Sequence, residues 1–261
     1  MNVIQEYLTL SRKIVDRVAA QEATIKETAA VFAKSILAGR MVHVFGSGHS
    51  RIMVEEMWPR YGSFPGFNPI VELSLTFHNL VVGANGQRQA MFLENVSGLA
   101  ERILRNFDID PIDSALIISS SGTNIVPVEM AELFQKKKVK VVSILTTKHS
   151  EKSESKRSDA KKLSDFSDLI LDTGAPVGDS MILIPDLETP VAPGSTVGGA
   201  LIINCIKAEV ARLLTEAGQP PKVLTATNVV GKEKAIQLFE SAYDEHAHRL
   251  AKLYQHVGKS K

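Results

Sequence analysis

Apolar residues recur along this chain in two rhythms, one of helices and one of short buried strands. Residues 2–20 place Ile4, Leu8, Val15 and Val18 at helical spacing, and a second stretch sets Ile25, Ala29, Phe32 and Ile36 on one face before Gly39 closes it. Met41–Phe45 then reads as a strand, followed by Gly46-Ser47-Gly48-His49-Ser50 and a helical pattern through Ile52, Met53, Glu55, Glu56 and Met57. The same sequence of events returns at residues 115–125: an apolar run too short for a buried helix, a turn of three serines, Gly122, Thr123 and Asn124, and a helix through Val126, Val128, Met130, Leu133 and Phe134. Further strand candidates are Leu80–Val82, Val139–Leu145, Leu169–Leu171 and Met181–Ile184. A long helix is expected over 194–217, ended by Gly218 and Pro220-Pro221, and a last one over about Lys232–His256 carrying Ile236, Phe239, Tyr243, Leu250 and Leu253. Thr146–Ser167 is dense in Lys, Ser, Glu and Asp, which predicts a solvated loop with at most a short helix.

Strands alternating with helices predict an α/β protein with a doubly wound parallel sheet and helical extensions at both ends. The divisions are residues 1–40 for the amino-terminal helices, 41–218 for the α/β domain and 219–261 for the carboxyl-terminal helical extension. In such folds the strand–turn–helix junctions open at the carboxyl edge of the sheet, where ligands sit. The turn Ser119-Ser120-Ser121-Gly122-Thr123-Asn124 stands at the start of a helix, whose first N–H groups are unpaired and carry partial positive charge. Gly122 admits close approach of an anion, and the serine and threonine hydroxyls add neutral donors. A helix cap needs one such residue, and this turn offers six in a row. No lysine lies in it, so the turn suits a single phosphate rather than a nucleoside triphosphate.

Nucleotide motifs fit poorly. Gly46-x-Gly48 is part of a dinucleotide fingerprint and Glu72 could imitate the ribose-binding acid, yet Arg51 stands where the third glycine belongs. There is no Gly-x4-Gly-Lys-Ser/Thr loop and no Gly-x-Ser-x-Gly elbow.

The two turns, Gly46-Ser47-Gly48-His49-Ser50 and Ser119-Ser120-Ser121-Gly122-Thr123, resemble those of the sugar isomerase (SIS) domains that bind phosphosugars, and the likeness extends over residues 1–255. It is similar in particular to a bacterial branch labelled phosphoheptose isomerase, which shares segments like Asn68-Pro69-Ile70-Val71-Glu72, Asp172–Asp179 and Pro193-Gly194-Ser195-Thr196. The last is also similar to a stretch of the N-acetylmuramic acid 6-phosphate etherases. The resemblance implies a flavodoxin-like SIS domain with a phosphorylated sugar as ligand and a homodimer or homotetramer with sites near the interface. It implies a phosphate held by Ser119, Ser120, Ser121, Gly122, Thr123 and Asn124, and a sugar met by Ser47, Gly48, His49 and Ser50. Ser195 and Thr196 either cap their helix or touch the sugar.

Aldose–ketose isomerisation needs a base to move a proton between neighbouring carbons and an acid to assist ring opening. Glu55, just over a turn beyond Ser50, is the first candidate, since the first helix of phosphoheptose isomerases carries Glu and His near the site. Glu72 and His78 form the second pair. That family's helical histidine has no equivalent here, because His49 sits in the turn, and neither a metal nor a cofactor is assigned. A lyase of the etherase type, or a sensor that binds without turnover, are the alternatives to an isomerase. His246 and His248 are about 200° apart around a helix, so they cannot chelate one metal together. His43 alternates within its strand and is expected simply to be packed, whereas His149 is a candidate for the pocket wall.

Composition narrows the classes that remain. The chain has 261 residues, 44% of them hydrophobic, which is ample for one buried core. A net charge of +1 makes no case for nucleic acid or an acidic membrane surface. No stretch resembles a secretory signal or reaches spanning length, so a cytoplasmic location is expected. The single cysteine, Cys205, lies in the apolar run Leu201–Ile206 and is expected in the core.

Overall fold

A computed structural model describes residues 2–76 and 87–255. Helices α1 (Val3–Ala19) and α2 (Glu22–Leu37) lead into β1 (Val42–Gly46), which passes through a 3-10 turn at Gly48–Ser50 into α3 (Arg51–Met57). There follow β2 (Phe67–Ile70), α4 (Leu73–Thr76), α5 (Gln87–Leu93), α6 (Leu99–Leu104), β3 (Ser114–Ile118), α7 (Ile125–Lys136), β4 (Lys140–Leu145), α8 (Thr147–Lys152) and β5 (Leu169–Asp172). The chain ends in β6 (Ser180–Ile182), β7 (Val191–Pro193), α9 (Ser195–Glu216), α10 (Thr227–Val230) and α11 (Lys232–Leu253).

Five parallel strands form one sheet in the order β2-β1-β3-β4-β5. This is a doubly wound order whose direction reverses between β1 and β3, the place where open α/β sheets bind ligands. Period-two alternation in each strand supplies two cores. Val42, Val44, Leu116, Ile118, Val142 and Ile144 face one layer with Phe32 of α2, Val54 of α3 and Ile202, Ile203 and Ile206 of α9. Phe45, Ala115, Ile117 and Val141 face the other, packed on Ile103 of α6 and on Val126, Met130 and Phe134 of α7. Strands covered on both sides explain the near-continuous apolar runs from which they were read.

A closed polar network enters this interior at the amino edge of the sheet. Asp113 accepts from Arg40 Nη2 (2.7 Å) and pairs with His43 Nε2 (3.2 Å), whose Nδ1 lies 3.0 Å from Asn68 Nδ2. His43 is thus packed, as its position in the strand implies, and it is also hydrogen-bonded on both nitrogens. Burial raises the Asp113 carboxyl, but the bonds from His43 and Arg40 outweigh it and hold the group at about 2.

The structure departs from the sequence reading at several elements. Met181–Ile184 contributes only β6, paired antiparallel with β7 outside the main sheet. Leu183 and Ile184 are exposed there, because a two-stranded ribbon has no second layer to cover them. Phe67–Ile70, interrupted by Pro69, is nonetheless the edge strand β2; with a partner only at β1, a missing N–H is tolerated. Leu80–Val82 lies outside the described residues. Thr146–Ser167 is more than a solvated loop: it holds α8 and a 3-10 turn, Leu163–Phe166, whose Leu163 and Phe166 are buried in the α7 layer. Cys205 is exposed rather than in the core. The buried stripe of α9 runs through Ile202, Ile203, Ile206 and Val210, and Cys205 is turned about 100° away from Ile206. In α11, Ile236, Phe239 and Tyr243 are exposed while Ala235, Ala242 and Leu253 are buried. Arg249 anchors that helix by donating to Ile36 O (3.0 Å) and Arg40 O (2.9 Å), near the end of α2, where cations are favoured. Among the described residues no helix is long and apolar enough to cross a membrane.

Candidate functional site

The turns after β1 and β3 open side by side onto one cleft of about 280 Å³ at the carboxyl edge of the sheet. Ser47, Gly48, His49 and Ser50 form one wall, and Ser119, Ser120, Ser121 and Asn124 another. The remaining lining comes from Met53, Gln87, Ala90, Met91, Glu94, His149, Thr173, Asp179, Ser195 and Thr196, with Ile118 and Ile144 at the floor.

Local geometry explains why the serine turn takes its shape. Gly122 adopts φ +63°, which favours glycine, and a Cβ there would crowd Ser150 Oγ (3.2 Å) and Leu163 Cβ (3.3 Å). Gly122 N donates to Ser119 Oγ (3.2 Å), Gly122 O accepts from Leu163 N (2.8 Å), and Thr123 Oγ1 donates to Ser121 Oγ (3.0 Å). Gly122 and Thr123 therefore shape the turn from behind, with Thr123 buried and neither residue on the cleft wall. Ser120 Oγ, Thr146 Oγ1 and Thr173 Oγ1 form a hydroxyl chain with links of 3.2 and 2.7 Å, tying the turn to the ends of β4 and β5. Lys156 reaches Asn124 Oδ1 at 2.6 Å, so tertiary structure adds near the turn a cation that the turn's own sequence lacks.

Glu94 joins the two walls. Its Oε2 accepts from Ser47 Oγ (2.8 Å) and its backbone oxygen accepts from Val126 N (2.9 Å) in the first turn of α7. Burial pushes its carboxyl above the ordinary value, against the Ser47 hydrogen bond and the charge of Lys156. A cleft carboxyl shifted towards neutrality is suited to accept and return protons. Sequence reasoning missed it: Glu94 follows α5 outside any motif, and only the packing of Glu94 on α7 brings it to Ser47.

At the far end of the cleft Asp179 closes the amino terminus of α9, accepting from Gly194 N (3.0 Å), Ser195 N (2.7 Å) and Ser195 Oγ (2.7 Å). Ser195 and Thr196 do line the cleft, but the cap of α9 is Asp179 and not the Ser195 side chain. Gly178 N donates to His149 Nδ1 (3.3 Å), which fixes the His149 ring on the cleft wall.

Neither carboxylate proposed from sequence as the catalytic base lies in this cleft. Two positions beyond Met53, which faces it, Glu55 is turned about 200° around α3 and lines a separate outer concavity with Ile52, Tyr61 and Tyr243. The neighbouring Glu56 pairs with Arg60 and Asn204 on that same side. Glu72 is a local cap: its Oε1 accepts from Ser74 N (3.1 Å) and Ser74 Oγ (2.8 Å) at the start of α4. His78 lies outside the described residues. Nor does either carboxyl-terminal histidine reach the cleft wall: the His246 ring packs on Trp58 at 5.1 Å and His248 is exposed. Among the described residues no three His, Cys, Asp or Glu side chains converge as metal ligands would.

Comparison with known proteins places these features in a family. The SIS-domain family model matches residues 6–146. A UPF0309 protein of Listeria monocytogenes serotype 4b is 30% identical over 244 residues, covering 93% of this chain and 96% of the relative. One from Halalkalibacterium halodurans is 31% identical over 229 residues, covering 87% and 92%. Among solved structures, a phosphoheptose isomerase from Francisella tularensis shares the fold with a TM-score of 0.50 at 14% identity, over 80% of this chain and 96% of that one. With the family model spanning more than half its length and full-length relatives at this identity, the chain belongs to the SIS-domain family.

Proposed function

We propose that the cleft binds a phosphorylated sugar and interconverts its aldose and ketose forms. The observation that carries the proposal is the convergence, on one cleft, of a serine-rich helix start and a half-buried carboxyl whose pKa is raised. Ser119, Ser120, Ser121 and Asn124 hold the phosphate with neutral donors at the amino end of α7. Ser47, Gly48, His49 and Ser50 meet the sugar together with Ser195 and Thr196. Glu94, in place of Glu55 or Glu72, takes the proton from the carbon beside the carbonyl, and the electron pair of that C–H bond forms an enediolate. Return of the proton to the neighbouring carbon, while the hydroxyl proton passes from one enediolate oxygen to the other, completes the exchange. His49 and His149, both on the cleft wall, assist at the sugar oxygens.

Thermal unfolding against a panel of phosphosugars, on the native protein and on Ser121→Ala, tests the binding. Ligand at 100 times its dissociation constant stabilises the fold by about 2.7 kcal/mol, a readily measured shift. A shift with particular phosphosugars but not with the unphosphorylated sugars, lost in Ser121→Ala, supports the site; no shift with any overturns it. For the ligands that bind, exchange of the C2 proton with solvent, abolished in Glu94→Gln, supports isomerisation. Tight binding without exchange favours a sensor.

A further inference from the structure

Resting on that phosphosugar reading, we infer that the cleft selects sugar monophosphates carrying no second anionic group, and that Asp179 enforces the selection. Two helices begin at this cleft, α7 of 12 residues and α9 of 22. Each helix start carries the partial positive charge that attracts a phosphate, so the frame alone would suit a sugar phosphorylated at both ends. The two ends are finished differently. At α7 the turn presents hydroxyls, with Lys156 beside it on Asn124. At α9 the anion position is already filled from within the chain, because both oxygens of Asp179 are engaged by Gly194 N, Ser195 N and Ser195 Oγ.

The carboxylate is built into place. Gly178 and Asp179 both take positive φ, +81° and +71°, a region L side chains rarely adopt, and Gly178 N is held by His149. Glu94 supplies a second carboxyl to the cleft wall. Among the described lining residues there is no lysine or arginine to offset Asp179. A phosphate or carboxylate brought to the α9 end would therefore meet a fixed negative charge where a helix start would otherwise welcome it. Hydroxyls and amines meet no such barrier, since Asp179 and Glu94 can accept hydrogen bonds from them.

The test measures dissociation constants for the hexose 6-phosphate giving the largest thermal shift, for its 1,6-bisphosphate and for the corresponding 6-phosphoaldonate. Asp179→Asn keeps the shape, caps helices well and tolerates positive φ, while removing the charge. Asp179→Gly suits the same backbone and removes the side chain, so it serves if the first variant folds poorly. The native protein should bind the two ligands with a second anionic group on the order of tenfold more weakly than the monophosphate, as expected for one like charge in a partly hydrated cleft. Either variant should bring the ratio of the two dissociation constants towards one, whatever the monophosphate's own affinity becomes. Equal binding of mono- and bisphosphate by the native protein, or an undiminished gap in both variants, overturns the inference while leaving the phosphosugar reading intact. Failure of every monophosphate to bind overturns the reading itself, and the inference with it.

Discussion

Gly198 on α9 should be the least replaceable small residue near the cleft. A Cβ at this position would stand 1.9 Å from Thr173 O and 2.7 Å from Thr173 C. Ordinary carbon–oxygen contact needs about 1.5 Å more, so either the helix or the backbone after β5 has to retreat. Neither is free to do so. Thr173 N donates to Leu145 O (2.9 Å) and its hydroxyl lies 2.7 Å from Thr146 Oγ1, while α9 is wedged against α2 and α3 by Ile202, Ile203 and Ile206, all fully buried. Overpacking of this kind costs about 1–3 kcal/mol, and here the obstacle is backbone, which places Gly198→Ala at the upper end. The neighbouring Gly199→Ala is the internal control. Its Cβ would meet Met53 Cγ and Sδ at 2.9 and 3.0 Å, the middle of a flexible side chain. Both replacements gain about 1 kcal/mol of helix propensity, so that term cancels in the comparison. Urea unfolding should show Gly198→Ala less stable than Gly199→Ala by about 2 kcal/mol. Because Thr173 leads through Thr146 to Ser120, the phosphosugar-dependent thermal shift should weaken in Gly198→Ala and persist in Gly199→Ala. Equal stability of the two variants would refute the idea that close approach of α9 to the β5 end holds the cleft together.

Asp113→Asn leaves Arg40 and His43 without their shared carboxylate and should destabilise the fold by about 3 kcal/mol, measured by denaturant titration. The folded pKa of Asp113 is depressed, so its contribution is present above the ordinary value of 3.8 and is lost as pH falls towards about 2; the stability difference between native protein and variant should shrink over that window. Glu94 behaves in the opposite sense. Its folded pKa is raised, so the protonated form favours folding below the ordinary value of 4.5, and that advantage fades as pH rises through the folded value. Stability curves of Glu94→Gln and the native protein should therefore diverge in favour of the variant as pH climbs from about 4 to neutrality, and parallel curves would count against a half-buried, shifted carboxyl. Removing the Arg249 anchor by Arg249→Ala should cost about 1–2 kcal/mol and hasten proteolysis within α11, because two carbonyls near the end of α2 lose a charged donor.

Much of the architecture is legible in the chain because the signals are local. Buried parallel strands are unbroken apolar runs, the positive-φ turns need glycine at Gly48 and Gly122, and a helix start needs hydroxyls; each requirement is met within ten residues. From these follow the doubly wound sheet and the two serine-bearing turns that open on one cleft. What the cleft contains beyond them is a matter of tertiary structure. Glu94 meets Ser47 across 47 positions and Lys156 meets Asn124 across 32, and Asp179 reaches the start of α9 across a ribbon that the strand pattern alone had not paired. Glu55 shows the converse: adjacency to the turn suggested a catalytic base, but 100° of rotation per helical residue turned it to the outer surface. Cys205 fails for the same reason, since apolar type does not say which face of a helix another element will cover. The chain by itself determined where the backbone turns and where donors cluster, because those depend on neighbours in sequence. Only the folded structure decided which carboxylates share the cleft with them, because that depends on how the layers close upon each other.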